Sequence, residues 1–298
     1  MSYLKPFSGF RVSNPAFREH RPGSISFHYA TDLSGTIVYR FNSYGFRGEE
    51  FDPKAHSRIF VAGESTGIGV GISEEQSWFG QFKTLYSVEH DLKPQQVNLL
   101  NFSQAGASTD YTCRVLLQQC EVTRPDLVVA VLSPMNRVEY FLDDNISNLP
   151  NQHVNILPFL GNSLAHANNN KTSVLTQQEK SALLQSVDAY YTFYTDRQGA
   201  NNQINCILLL QNYLANRRIP YLIWVFDQHH HKSKETLTKN SVLSDLAEMV
   251  DEEKLLSIAY EGSSPRAADG IHVGPEAQKR ISLQLMKAYR DNYGTHPC

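Results

Sequence analysis

Ser65 is the residue of this sequence that is best placed to act as a nucleophile. The apolar residues 59–62 before it are typical of a strand that is buried on both faces of a parallel sheet. Gly63 and Gly67 on either side permit a tight turn and let a ligand approach the backbone. The pattern therefore predicts a serine hydroxyl at the carboxyl end of a buried strand. Turn chemistry alone also places serines after strands, so the function of Ser65 depends on its partners.

Asp269 and His272 are the partners that a serine nucleophile requires. They lie three residues apart in a loop sequence before a predicted helix. A serine hydroxyl is a weak nucleophile until a base takes its proton, and an imidazole can do so at neutral pH. A neighbouring carboxylate fixes the imidazole tautomer and stabilises the imidazolium. The two residues therefore predict the base and the acid of a catalytic triad, although a helix-capping pair also explains them.

Three donors are predicted to stabilise an oxyanion. They are the backbone N–H groups of Ser65 and Gly106 and the side-chain amide of Asn136. Each follows an apolar run, and the carboxyl ends of parallel strands meet at one edge of a sheet. One such donor is typically worth about 3–4 kcal/mol of transition-state stabilisation. Gly106 as a turn glycine and Asn136 as a helix cap are the alternative interpretations.

The elements that position these residues alternate between strand and helix. Apolar runs predict strands at 59–62, 97–102, 127–132, 221–226 and near 255–260, with helical periodicity between them. This rhythm predicts an α/β fold, a three-layer α/β/α sandwich with a mostly parallel five-stranded sheet. The predicted nucleophile and oxyanion residues would therefore lie after strands. The predicted acid and base, Asp269 and His272, would lie in a loop before a helix.

The chain divides into two predicted parts. Residues 1–57 contain short β-leaning runs without helical periodicity and predict a small β-rich N-terminal extension. Residues 58–298 form the predicted catalytic domain. Within it, an Asn- and Pro-rich insertion at about 140–180 is typical of a lid or binding loop, and a disordered excursion explains it equally well.

Composition narrows the classes of partner. The net charge is −3 at neutral pH and no Lys/Arg run is present, which disfavours nucleic-acid binding. No apolar window approaches the length of about 18 residues that a membrane span needs, and the first residues do not show a charged leader followed by an apolar segment. We expect a cytoplasmic protein without a cofactor, and the composition leaves its oligomeric state open.

Together the motifs resemble those of the SGNH hydrolases, also called GDSL esterases/lipases. The resemblance rests on Gly63-Glu64-Ser65, residues 101–106, Asn136 and the Asp-Gly-Ile-His run at 269–272, and it covers most of the chain after the extension. It implies a flavodoxin-like fold, Ser65 as nucleophile, Gly106 and Asn136 in the oxyanion hole, and Asp269 with His272 as acid and base. Residues 42–50 also resemble an NSxGFRG run that precedes the catalytic domain in some relatives.

Two departures from the family pattern concern the predicted site. Glu64 replaces the usual Asp beside the nucleophile, and we hypothesise that it braces the turn as that Asp does. Ser-Pro-Met-Asn-Arg at 133–137 replaces the usual GxND, so Arg137 stands where an acid is common. Glu64 and Arg137, with His229 and His230 after the fourth predicted strand, are the candidate substrate contacts.

Other interpretations of the motifs fit less well. The Gly-x-Ser-x-Gly at 63–67 also matches the nucleophile elbow of α/β-hydrolases, but no HGGG-type segment precedes it. Adjacent histidines at 229–231 suggest a metal, yet consecutive residues of an extended segment point to opposite sides, so no metal site is predicted. The sequence favours a hydrolase of a small-molecule ester or thioester. An acyltransferase that uses the same acyl-enzyme, or a non-catalytic binding module, is the alternative.

Overall fold

The structure is a computed structural model, and it describes residues 25–27, 37–141, 153–156, 178, 181, 185, 189–190, 192–226, 235, 244–258, 265–270 and 272–294. Its strands are β1 (Ile25–Phe27), β2 (Val38–Arg40), β3 (Ser57–Ala62), β4 (Val97–Asn101), β5 (Leu127–Val131), β6 (Val138–Phe141), β7 (His153–Ile156), β8 (Tyr221–Phe226) and β9 (Leu255–Ile258). Its helices are α1 (Ser65–Ile68), α2 (Trp78–Glu89), α3 (Thr109–Val122), α4 (Asp196–Asn216), α5 (Ser244–Glu248) and α6 (Pro275–Tyr293), with 3₁₀ turns at Pro94–Gln96 and Glu252–Lys254. None of these helices is long and apolar enough to cross a membrane.

Five of the strands form one parallel sheet in the order β4-β3-β5-β8-β9. In its register, Val61 of β3 aligns with Asn101 of β4 on one side and with Val129 of β5 on the other. The pairs β1–β2 and β6–β7 are separate antiparallel ribbons. The predicted α/β fold with a five-stranded parallel sheet is confirmed, and the strand before Ser65 lies inside the sheet.

Helices cover both faces of β3, which explains its unbroken apolar run. Phe60 and Ala62 belong to a core cluster with residues of α3 and α4. Ile59 and Val61 belong to a second cluster with residues of α2 and α6. All four side chains are fully buried, and burying a large apolar side chain contributes about 1.5–3 kcal/mol. The three-layer arrangement is therefore confirmed.

The carboxyl ends of the parallel strands bring the predicted site segments to one edge. The segments that carry Ser65, Gly106 and Asn136 follow β3, β4 and β5, which are neighbours in the sheet. The segment after β8, with His229 and His230, lies outside the described residues. So does most of the predicted insertion, of which residues 153–156 pair with β6.

A compact loop at residues 42–48 connects the N-terminal ribbon to the sheet. Oδ1 of Asn42 accepts hydrogen bonds from the backbone N–H groups of Tyr44 and Phe46, at 3.1 and 3.0 Å. The Phe46 ring then enters the core, where it meets the Phe102 ring edge to face at 5.0 Å between centroids. The NSxGFRG-like run is thus packed into the main core. The domain boundary at residue 57 stays a prediction.

Arg47 is a buried cation that holds the chain just after α1. Its Nη1 donates to the carbonyls of Ile68 and Gly69, at 2.9 and 2.7 Å, and its Nη2 donates to the carbonyl of Ile72 at 2.7 Å. The guanidinium carbon lies 4.3 Å from the ring centroid of Tyr39. Burial lowers the pKa of Arg47 to about 10, so the group stays charged at neutral pH. Arg47 therefore satisfies carbonyls that would otherwise be buried without donors.

We expect Arg47→Met to lower the free energy of unfolding by about 3 kcal/mol, because buried carbonyls would lose their donors. Arg40→Met is the matched control, since Arg40 is exposed on β2 and should cost about 0.5 kcal/mol or less. Urea unfolding of the three proteins measures the difference. Equal losses in the two variants would show that the guanidinium contacts do not stabilise the fold.

Candidate active site

Ser65 begins α1, a single helical turn directly after β3. Glu64 precedes it in extended conformation and caps the helix, because its Oε1 accepts from the backbone N–H of Thr66 at 2.9 Å. The helix ends at Gly69, whose φ of +71° is left-handed. We call residues 64–72 the serine turn. Its start places the Ser65 side chain, which is half-buried, at the carboxyl edge of the sheet.

Glu64 is the partner of the Ser65 hydroxyl in this structure. Ser65 Oγ donates to Glu64 Oε2 at 2.5 Å, and Arg137 Nη1 lies 3.4 Å from the same oxygen. Burial raises the pKa of Glu64, but the charge of Arg137 and the hydrogen bonds from Ser65 and Thr66 outweigh it and lower the pKa below its usual range. Glu64 is therefore an ionised brace between the serine turn and the segment after β5.

Side chains from α2 and β4 hold the other carbonyls of the serine turn. Trp78 Nε1 donates to the carbonyl of Thr66 at 2.9 Å, and Asn101 Nδ2 donates to that of Gly67 at 2.8 Å. The sequence pattern did not predict these supports. A polar residue at the end of the buried apolar run of β4 is the signal that could have found Asn101. With Arg47, these donors give the short helix a fixed orientation.

Asp269 binds His272 at two points. Asp269 Oδ1 accepts from the backbone N–H of His272 at 3.0 Å, and Oδ2 makes a short contact with the ring Nδ1. The carboxylate is buried at 3% side-chain exposure, whereas the imidazole is 24% exposed. An antiparallel bridge between Arg266 and Val273 closes the loop of residues 265–274. We call it the His272 loop, and its imidazole is more exposed than the carboxylate that binds it.

The His272 loop packs directly on the serine turn. The backbone N–H of Ala268 donates to the carbonyl of Gly71 at 3.0 Å, while the N–H of Gly71 donates to the Tyr39 hydroxyl at 2.7 Å. Gly71 has a φ of +73°, and a Cβ there would lie 3.2 Å from the carboxyl carbon of Asp269. Glycine is therefore required where the two segments meet. In this structure Ser65 bonds to Glu64, and no hydrogen bond joins it to His272.

Gly106, the second predicted oxyanion residue, lies in a turn beside β3. Gly106 has a φ of +77° and lies in a turn closed by a bond from the N–H of Ala107 to the carbonyl of Gln104. The backbone N–H of Gln104 donates to the carbonyl of Gly63 at 2.9 Å. This bond joins the Gly106 turn to the residue before Glu64. The loop after β4 is therefore fixed against the strand that carries Ser65.

Asn136 lies in the segment after β5, which we call the β5 loop (residues 133–137). The N–H of Arg137 donates to the carbonyl of Pro134 at 3.1 Å, so the loop turns without the glycine of the family pattern. The buried Oδ1 of Asn136 has no hydrogen-bond donor among the described residues. Arg137 Nη1 also lies 3.4 Å from the carbonyl of Ala107, which connects the loops after β4 and β5.

The lowered pKa of Glu64 predicts a pH-dependent contribution to stability. An acid whose pKa is lower in the folded state stabilises the fold above its ordinary pKa of 4.5, and the contribution is lost as the pH falls through the lowered value. We expect Glu64→Gln to cost about 2 kcal/mol at neutral pH, because Arg137 loses its counter-ion. The difference from the wild type should shrink as the pH falls below 4.5 towards the lowered pKa.

Urea unfolding at several pH values measures this difference, with Glu75→Gln as the control because Glu75 is exposed in the same region. A wild-type minus Glu64→Gln difference that stays constant with pH would contradict the lowered pKa.

Comparisons with known proteins give structural matches only. No protein-family model matches the sequence, and no curated protein matches it. The psychrotrophic esterase EstA of Pseudoalteromonas sp. matches with 12% identity over 79% of this chain and 97% of that chain, at a TM-score of 0.43. The acetyl xylan esterase Est2A of Butyrivibrio proteoclasticus matches with 11% identity over 84% and 68%, also at 0.43.

A third match is a protein of the lipolytic G-D-S-L family from Desulfitobacterium hafniense DCB-2. It is 8% identical over 78% of this chain and 99% of that chain, at a TM-score of 0.37. TM-scores this low do not assign a function to this chain. The matched proteins include esterases and a member of the G-D-S-L family, the family that the motifs of this sequence resemble.

Proposed function

We propose that this protein is a serine hydrolase of the SGNH type that cleaves an ester or thioester of a small molecule through an acyl-enzyme. One observation carries the proposal. Asp269 makes two contacts with His272, on a loop whose backbone hydrogen-bonds to Gly71. Gly71 belongs to the serine turn, which begins with Glu64 and Ser65. This contact supports the proposal, because acyl transfer requires the proposed nucleophile, base and orienting acid to lie at one edge of the sheet.

In the first step Ser65 Oγ attacks the substrate carbonyl carbon. A C–O bond forms, the carbonyl π electrons move to its oxygen, and the hydroxyl proton passes to Nε2 of His272. Asp269 accepts at Nδ1, so Nε2 is the nitrogen left to take the proton, and the buried carboxylate stabilises the imidazolium. The N–H groups of Ser65 and Gly106 and the amide of Asn136 are the proposed donors to the oxyanion.

The second half of the reaction returns the enzyme to its starting state. Collapse of the tetrahedral intermediate breaks the bond to the leaving group, which takes the proton from His272. Water then attacks the acyl-enzyme with His272 as base, and the acid is released while Ser65 regains its proton. The 24% exposure of the imidazole side chain is consistent with access of water to that nitrogen.

Glu64 and Arg137 explain why the serine proton goes to His272. The resting hydroxyl donates to Glu64, so it must rotate away from Glu64 before it can donate to the imidazole. Arg137 and the hydrogen bonds to the carboxylate lower the pKa of Glu64, which makes it a poor proton acceptor. We therefore assign Glu64 to holding the serine turn and His272 to general base catalysis.

Incubation with a fluorophosphonate should add one adduct to the wild-type chain. The adduct should be absent in Ser65→Ala and should form at least about 10²-fold more slowly in His272→Ala, because the hydroxyl then lacks its base. Intact mass spectrometry measures both. Ser73→Ala is the control, since Ser73 lies in the neighbouring loop with its hydroxyl bonded to Gln76, and it should label like the wild type.

A folded wild-type chain that forms no adduct would overturn the acyl-enzyme mechanism, and the non-catalytic binding module would then be the better interpretation. An adduct that persists in Ser65→Ala would place the nucleophile elsewhere.

Asp269→Asn should lower kcat for a short-chain ester by about 10³–10⁴-fold, with little change in KM, because an amide at this position no longer fixes the imidazole tautomer. Steady-state hydrolysis of 4-nitrophenyl acetate measures both constants. Asp245→Asn is the control, since Asp245 is exposed on α5. A loss confined to KM would mean that Asp269 contributes to substrate binding and does not orient the base.

A further inference from the structure

The β5 loop is held through its backbone carbonyls by two tyrosines. Tyr194 Oη donates to the carbonyl of Met135 at 2.9 Å, and Tyr190 Oη donates to the carbonyl of Asn136 at 2.5 Å. Both tyrosines precede α4 in the chain, in a run of aromatic residues that the sequence explains equally well as a core face or as the wall of a pocket. Their hydroxyls instead reach the segment that carries a proposed oxyanion donor.

The rings of Tyr190 and Tyr194 stack on each other. Their centroids are 4.7 Å apart at an interplanar angle of 22°, which is a stacked arrangement. Tyr190 is 4% exposed and Tyr194 is half-buried. Burial, together with the negative charge of Asp110, raises the pKa of Tyr194, so its hydroxyl remains a donor throughout the neutral range. Stacking against the buried Tyr190 ring limits the movement of both hydroxyl donors.

The start of α4 holds the same loop from a second direction. A Cβ on Gly199 would lie 2.4 Å from the carbonyl oxygen of Met135, so the helix approaches the loop closely at a glycine. Gln203 Nε2 donates to the carbonyl of Ser133 at 2.9 Å. The carbonyls of Ser133, Met135 and Asn136 thus each meet a side-chain donor from the segment that runs from Tyr190 into α4.

The orientation of the Asn136 amide depends on the backbone that carries it. Its Oδ1 is buried, and none of the described residues donates a hydrogen bond to it. A rotation of the backbone at Met135 or Asn136 would swing the amide away from its target. Oxyanion donors are effective only when they are already oriented in the resting enzyme.

We propose that Tyr190 and Tyr194 are positioning residues that orient the oxyanion amide of Asn136 by fixing the backbone of the β5 loop. The inference rests on the proposed function, since it assumes that Asn136 meets the oxyanion.

Tyr190→Phe and Tyr194→Phe, alone and together, test the inference in the wild-type background and in Asn136→Ala. Each single change should lower kcat for 4-nitrophenyl acetate about tenfold with KM unchanged, because a misplaced donor affects the transition state. Asn136→Ala should lower kcat about 10²-fold. In that background the tyrosine changes should have no further effect, because the amide they orient is gone.

Tyr213→Phe is the matched control. It removes another tyrosine hydroxyl, one in the last turn of α4 that bonds to Glu121 at the surface and away from the β5 loop, and should leave kcat unchanged. Gly199→Ala provides a variant that keeps both hydroxyls but displaces the Met135 carbonyl, and it should also lower kcat in the wild-type background only.

The outcomes separate the two proposals. A wild-type chain that a fluorophosphonate does not label overturns the acyl-enzyme function, and the inference falls with it. A labelled wild type in which the Tyr190→Phe/Tyr194→Phe double variant retains full kcat overturns the inference alone. An equal loss of kcat with and without Asn136 also overturns it, since the tyrosines would then act on the fold in general.

Discussion

The serine turn depends on a supply of hydrogen-bond donors for carbonyls that are buried away from water. A single-turn helix cannot satisfy its own last carbonyls, and burial makes each missing bond costly. Arg47 meets this need from the segment before β3, while Trp78 and Asn101 meet it from α2 and β4. The position of Ser65 is therefore set by three distant parts of the chain as much as by the strand that precedes it.

The two carboxylates of the site differ in the side chains that they contact. Glu64 is paired with a permanent cation, Arg137, so it remains ionised and holds the turn. Asp269 is paired with an imidazole that can take up and release a proton. Environment rather than residue type thus distinguishes a structural carboxylate from one that belongs to the proposed chemistry, which is how neighbouring acids acquire different roles in one site.

Much of the fold was predictable because it depends on local periodicity. The five apolar runs correspond to the strands of the sheet, and the rule that parallel strands end at one edge places Ser65 near the loops of Gly106 and Asn136. The pairing of Asp269 with His272 followed from a spacing of three residues. These features depend on neighbours in sequence or on simple strand geometry.

The supports of the site were not predictable for a physical reason. Tyr190 and Arg47 donate to carbonyls, which every residue carries, so the sequence contains no signal for which carbonyl the fold will bring near them. The substitution of Glu for Asp at position 64 suggested a brace, but its pairing with Arg137 depends on how β5 ends. His229 and His230 lie outside the described residues, so their role stays a prediction.

The Arg47 contacts also bear on the order in which the site can assemble during synthesis. They join residues only 21 to 25 positions apart, so they can form soon after this part of the chain emerges. Asp269 and His272 are made far later. In the interval the Ser65 hydroxyl already has an acceptor in Glu64 but no base to activate it. A partly synthesised chain therefore contains Ser65 and Glu64 before it contains the proposed base and acid.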